Sequence, residues 1–363
     1  MLTIKTVEFQ EMLNRAAKGS SHNKLLPLTS LMKVEVKNGV LWLVTTNMSD
    51  YLYIKKKVEA EDFYAVVQTE QFSKLISKMT SENVTLSVDN AVLNVKGNGN
   101  YKIELPLDES GELVKYPDPA AELKFEGEAS ATINLATIKT ILNTNKVALA
   151  ATLEVPVYTG YYVGDKVIST DTYKICGLNK KLFNEPTMVS PETMNLLDVM
   201  TAEKITVDFA NDIMLFSSED CVLYSHKMDG IEEFAIEPIS ALLNQEFESS
   251  CKVSKDFLIA SLERIALFVG PYDNKGIILT FTQEGIDISS KKSNGIESIK
   301  YIESKNFVPF TCNVDIIVLL QQIKANTADS VEIQYGKDSS LKLVDGDITQ
   351  IIALLEDSEE VAE

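Results

Sequence analysis

Apolar residues recur along this chain in two rhythms. Short segments carry them three or four apart, as a helix with one buried stripe requires: Phe9 and Leu13, Ile138 and Leu142, Leu258 and Leu262. Other segments alternate apolar and polar, as half-buried strands do, for example Val34-Glu35-Val36 and Leu41-Trp42-Leu43-Val44 around Asn38-Gly39. That Asn-Gly pair tolerates positive φ and predicts a two-residue hairpin turn. The run Gly97-Asn98-Gly99-Asn100 sits between two further alternating runs and reads as a strand connection.

The two rhythms repeat in order. A helix followed by a strand occurs at Phe72–Met79 then Val84–Val88, at Met194–Met200 then Ile205–Phe209, and at Val318–Ile323 then Val331–Tyr335. The anchors Met79, Met200 and Ile323 are 121 and 123 residues apart. The opening helices, around Phe9–Arg15, Ile138–Thr144 and Leu258–Arg264, are offset by 129 and 120 residues. Two different units recurring at nearly one period point to a threefold internal duplication. Polar or Pro-rich linkers at Tyr116–Ala120 and Asn244–Ser250 divide the chain into residues 1–122, 123–248 and 249–363. A helix with one apolar stripe has to cover a sheet face, so the fold class expected is α+β, three repeated domains each of two helices packed on antiparallel sheets.

Composition narrows the function. The 363 residues carry 53 Asp and Glu against 34 Lys and Arg, a net charge of -19, which argues against a simple basic nucleic-acid binder but leaves room for a local basic face. No signal-peptide pattern opens the chain and no apolar run approaches a membrane span, so a cytoplasmic protein without a membrane partner is expected. Cys176, Cys221, Cys251 and Cys312 stand far apart and read as reduced, buried thiols. With only His22 and His226, no metal-ligand spacing and no phosphate-binding glycine loop, no metal, cofactor or catalytic residue is assigned. Glu232-Glu233 is the nearest carboxylate pair and reads as a solvated face, so the chain is not expected to be an enzyme.

The only two arginines, Arg15 and Arg264, fall at equivalent positions of the opening helices, with Thr144 between them in the second copy. At about 100° per residue, Arg15 lies roughly 110° from the centre of its apolar stripe and is expected to point to solvent. Lys18, Lys74, Lys78, Lys139, Lys146 and Lys324 lie on or just after predicted helices. They fit either ordinary solvated helix surface or a basic face that holds phosphates without reading bases.

With this repeat, Lys24-Leu25-Leu26-Pro27-Leu28 early, Thr170-Asp171-Thr172-Tyr173-Lys174-Ile175 mid-chain, Ser254–Leu258 through Ile265–Leu267, and Asn274–Leu279, the chain resembles the bacterial DNA polymerase III beta subunit family, the sliding clamps. The resemblance runs through nearly the whole chain and rests on the combination and order of these segments. It implies a processivity factor: a head-to-tail homodimeric ring that encircles double-stranded DNA without sequence preference, tethers the replicative DNA polymerase and is placed by a clamp loader. It also implies a DNA channel containing the helix-borne cations above together with Lys24. The dimer contact it implies joins Ile103 and Leu105 to Phe268 and Val269, residues that plain core packing would explain equally well. Partner peptides would dock in an apolar cleft made by Tyr158, Thr170, Lys174, Ile175, Ile236, Ile351 and Ile352.

Two departures bear on that cleft. Thr172-Tyr173-Lys174 stands where the family usually has Gly-His-Arg, losing a fork-shaped donor. Ala353-Leu354-Leu355 and the acidic run Glu356–Glu363 replace the usual Met-Pro-Met-Arg-Leu terminus. An acidic three-domain protein-binding scaffold of clamp fold that does not encircle DNA is the alternative. A carboxylate-based hydrolase is a more remote one.

Overall fold

The computed structural model describes residues 1–119, 130–270, 275–292, 294–337 and 339–356. The expected boundary at 122/123, Ala120 of its linker, Asn274, and residues 357–363 of the acidic tail lie outside the described residues.

Four antiparallel sheets carry the architecture. An eight-stranded sheet runs, in spatial order, Phe63–Gln68, Leu31–Lys37, Val40–Thr46, Asp50–Lys57, Cys221–His226, Ile213–Ser217, Lys204–Ala210 and Ala131–Asn134. A nine-stranded sheet runs Thr187–Val189, Tyr161–Val163, Val167–Thr170, Lys174–Leu178, Ile348–Ala353, Ser340–Asp345, Ser330–Tyr335, Ser249–Ser254 and Glu303–Lys305. Two four-stranded sheets end in Asn100–Glu104 and in Ile296–Lys300. The duplication is legible in this order. Each third supplies one four-strand set whose last strand returns to pair with its first, and one set in which a strand precedes a helix and pairs with later strands. The middle third gives four strands to the eight-stranded sheet and four to the nine-stranded one.

Compactness therefore does not follow the thirds. The chain gathers into two units, Met1–Ile138 with Glu192–Lys227, and Lys139–Pro191 with Met228–Glu363, because each large sheet is continuous across a junction between thirds.

Seven helices are present among the described residues: α1 (Thr6–Ala16), α2 (Thr69–Ser77), α3 (Leu135–Thr144), α4 (Pro191–Leu197), α5 (Ile236–Leu243), α6 (Lys255–Ala266) and α7 (Ile316–Ala325). In the first unit α1 packs on α2 through Phe9 and Phe72, whose rings meet edge to face at 5.9 Å. Gln10 Nε2 donates to the Ile76 and Met79 carbonyls, closing the open end of α2. In the second unit Ser254 caps α6 and Asp315 accepts from the first amides of α7. Beneath α6 and α7, Leu258, Leu262, Leu319 and Ile323 bury against Val253, Ile333, Leu343 and Ile352 of the sheet.

The local readings hold where chain geometry alone decides them. Asn38 and Gly39 have φ of 52° and 72° in the expected hairpin turn. All four cysteines are free and buried, and burial pushes the Cys176, Cys221, Cys251 and Cys312 thiols up to about 12. No described helix is long and apolar enough to cross a membrane.

Candidate functional site

Strand alternation gives the nine-stranded sheet two faces. Register pairs Thr170 with Ile175, Ile175 with Ile351, and Ile351 with Lys342, so these side chains stand on one face. Over its apolar half lie α5 and the turn before it. Phe234 stacks on Tyr162 at 5.1 Å and meets Tyr158 edge-on at 5.6 Å, while Ile239 and Leu243 pack with Val157, Ile168, Ile175 and Ile351. Gly177 lets α5 sit this low, since a Cβ there would come within 2.9 Å of Leu243. Tyr158 and Ile236 remain half-exposed at the edge of this cluster.

The turn from Thr170 to Lys174 borders the same face. Thr170 Oγ1 donates to the Lys174 carbonyl at 2.9 Å and accepts from Thr172 N at 3.0 Å. Asp171 Oδ1 accepts from the amides of Tyr173 and Lys174, and its other oxygen takes Lys174 Nζ at 2.6 Å. Thr172 has φ of 77°, a left-handed conformation that costs a β-branched residue more than a glycine. The turn presents Tyr173 with 72% of its surface open.

Of the seven residues expected in a cleft, Tyr158, Thr170, Ile175, Ile236 and Ile351 come together on this face. Ile352 does not. It follows Ile351 in the strand, so its side chain turns to the opposite face and joins the core under α6 and α7. Lys174 stands at the border with its ammonium held by Asp171. Phe234, Ile239 and Leu243 belong to the face and were missed. Neither α5 nor the turn before it carries a pattern linking it to a distant strand, so only the tertiary packing reveals them.

The expected cations divide sharply. Arg15, Thr144 and Arg264 are each the tenth residue of their helix, as the repeat requires. Arg15, however, does not point to solvent. Its Nε donates to the Val199 carbonyl at 2.8 Å and its NH1 meets the Asp220 carboxylate at 2.6 Å, leaving the side chain 12% exposed. The hairpin end carrying Asp220 covers the flank of α1 that helical geometry alone leaves open. Burial would raise the Asp220 carboxyl, but the Arg15 hydrogen bond and charge outweigh it and hold the group below its ordinary value. Arg264 is exposed yet bidentate to Glu297, Lys74 pairs with Glu70, and Lys324 reaches Glu263 at 2.7 Å. Lys18, Lys24, Lys78 and Lys139 are exposed and form no ion pair with a described carboxylate, and Lys146 is exposed as well.

The residues expected at a dimer contact differ between the two units. In the first, Ile103 and Leu105 turn inward and are nearly covered, while Leu107 beside them is 51% exposed. In the second, Phe268 is 50% exposed, Val269 is half-buried, and Leu267 and Ile296 stand open nearby in sequence and on the edge strand.

Comparison with solved structures decides the fold. The beta subunit of DNA polymerase from Streptococcus pyogenes aligns with a TM-score of 0.85 at 18% identity, over 98% of this chain and 99% of that one. The chain has the sliding-clamp fold. The DNA polymerase III beta chain of Streptococcus pneumoniae matches with a TM-score of 0.84 at 16% identity, covering 98% and 100% of the two chains. The DNA polymerase sliding clamp of Bacillus subtilis gives 0.81 at 14%, covering 98% of each. No protein-family model and no curated protein matches the sequence.

Proposed function

We propose that this chain is a DNA sliding clamp, a non-enzymatic processivity factor that closes head to tail with a second copy around duplex DNA. Its modules are residues 1–122, 123–248 and 249–363. The observation that carries the reading is the alignment with the Streptococcus pyogenes beta subunit over 98% of the chain at a TM-score of 0.85. A ring holds DNA by enclosure and needs little attraction, which suits a chain of net charge -19.

Closure would join the open edges of the two small sheets, Asn100–Glu104 of one copy and Ile296–Lys300 of the next, a heterologous contact that ends when the rotation closes. Phe268 and Val269, with Leu267 and Ile296, would meet Leu107. Ile103 and Leu105 would support that edge from within. Lys18, Lys24, Lys78 and Lys139 would face phosphates without giving up an ion pair with a described carboxylate, and the exposed Lys146 would join them. Arg264, Lys74 and Lys324 would do so only by sharing their carboxylates, and Arg15 is a structural pin. The polymerase and the clamp loader would engage the face around Tyr158, Thr170, Ile175, Ile236 and Ile351 through an extended segment with an apolar anchor.

The neutralisation of Arg15, Lys74, Arg264 and Lys324 favours a second reading, a clamp-fold scaffold that binds proteins and does not encircle DNA. One assay separates the two. A clamp, treated with a clamp loader, co-elutes with a nicked plasmid circle and is released when the circle is linearised. A scaffold is never retained on the circle and runs as a monomer in sedimentation.

A further inference from the structure

Beside the apolar strip, the outer face of the nine-stranded sheet changes character within one strand. The cross-strand neighbour of Ile351 is Lys342. Lys342 and Lys166 flank a cavity of about 330 Å³ whose other polar lining comes from Asn179, Asn244, Thr349 and Asp347. Gly177 opens its wall, and Gly177 registers with Thr349 two residues along from the Ile175–Ile351 pair. Two residues of strand are about 7 Å. The cavity therefore continues directly from the apolar strip.

The hydrogen bonds of its lysines go to neutral acceptors. Lys342 Nζ donates to the Gln245 carbonyl at 3.0 Å, and Lys166 Nζ reaches Asn244 Oδ1 at 3.4 Å. Neither forms an ion pair with a described carboxylate, Asp347 included, in a chain with 53 acidic residues against 34 basic ones. An ammonium has three donors, so each lysine keeps two to offer. Burial works against the charged form of Lys342, while Glu246 and Glu332 favour it without coming into contact range. A carboxylate entering the cavity would meet ammonium donors that no described carboxylate engages. By contrast, the cation at the other border of the strip, Lys174, is already held by Asp171.

We propose that this cavity is an anion subsite that takes the carboxylate of an acidic side chain two residues from the apolar anchor of a docked extended segment. Lys342 and Lys166 are its binding residues. The inference rests on the docking role proposed above for the Ile175–Ile351 face.

The test uses ten-residue Gly/Ser peptides with one Leu-Phe pair and Asp two residues before or after it, each with an Asn twin. They are titrated into the full chain by fluorescence anisotropy. At low salt one Asp peptide is expected to bind about fivefold tighter than its twin, with the advantage fading at high salt. Lys342→Gln is expected to erase the advantage and Lys342→Arg to retain it, with the Asn twin bound alike by all three proteins. Equal binding of every Asp and Asn pair by the unaltered chain overturns the subsite and leaves apolar docking standing. No binding by any peptide, or binding that survives Ile175→Asp, overturns the docking role and the subsite together.

Discussion

The turns Thr46–Asp50 in the first unit and Thr170–Lys174 in the second are one structure written with different residues. Met48 N donates to Thr46 Oγ1 at 2.8 Å as Thr172 N does to Thr170 Oγ1 at 3.0 Å. Asn47 Oδ1 accepts the amides of Ser49 and Asp50 as Asp171 Oδ1 accepts those of Tyr173 and Lys174. The third residue is left-handed in both, with φ of 83° at Met48 and 77° at Thr172. The positive φ at Thr172 is thus a property of the repeated hairpin and not a mark of function. What differs is the face that each turn borders. In the first unit Tyr51 and Tyr224 pair edge to face at 5.6 Å, and Tyr116 is buried in the same cluster with its hydroxyl donating to Leu31 O. In the second unit the registered pair is Ile175 and Ile351, edged by the half-exposed Tyr158 and Ile236. The repeat fixes the backbone, and substitution on it makes the registered pair two tyrosines in the first unit and two isoleucines, the pair proposed to lie at a docking surface, in the second.

The largest test of that contrast is truncation on each face. Tyr51→Ala is expected to cost about 3–5 kcal/mol, as for other large buried aromatics, and Ile175→Ala about 2–4 kcal/mol, both read from urea unfolding. Only the second should also weaken peptide binding. A binding loss from Tyr51→Ala of similar size would dissolve the contrast between the faces.

The arginines give the next test, since the same helix position is a pin in one unit and a surface group in the other. Arg15→Met is expected to destabilise by about 1–3 kcal/mol, because it strips a partly buried carboxylate of its partner. Arg264→Met should leave the urea midpoint unchanged within error, as an exposed pair contributes little. The pH dependence has a definite sign. The folded Asp220 carboxyl lies below its ordinary value, so its contribution is present above the unfolded value near pH 4 and is lost as pH falls through the folded one. Arg15→Met should therefore flatten the stability profile below about pH 4. An unchanged acid limb would mean that the pair does not act as the geometry indicates.

The smallest effect sharpens the likeness of the turns. Thr172→Gly and Met48→Gly are each expected to stabilise by about 1 kcal/mol or less, relief of the left-handed conformation being offset by glycine's extra unfolded-state freedom. Opposite signs at the two positions would show that the turns are under different constraints.

Much of the fold was legible in the chain, for a physical reason. Helix stripes and strand alternation are local consequences of 3.6- and 2-residue periods, and their recurrence announced the repeat. The same rules placed Arg15, Thr144 and Arg264 at one helical position. They could not say that a hairpin end would bring Asp220 to Arg15, nor that the two large sheets would each run on through a junction between thirds. The adjacent isoleucines Ile351 and Ile352 are instructive. Alternation alone separates them onto two faces, yet which face meets α5 and which meets α6 and α7 is decided by packing.

The sequence by itself therefore determined the elements, their threefold order and the acidic balance, because each depends on neighbours along the chain. The tertiary structure alone decided which cations are spent on carboxylates, which apolar pair packs with α5, and that two lysines line one cavity with neither in an ion pair with a described carboxylate. Those outcomes depend on side chains brought together from positions such as 15 and 220, or 166 and 342, whose separation along the chain carries no signal of their meeting.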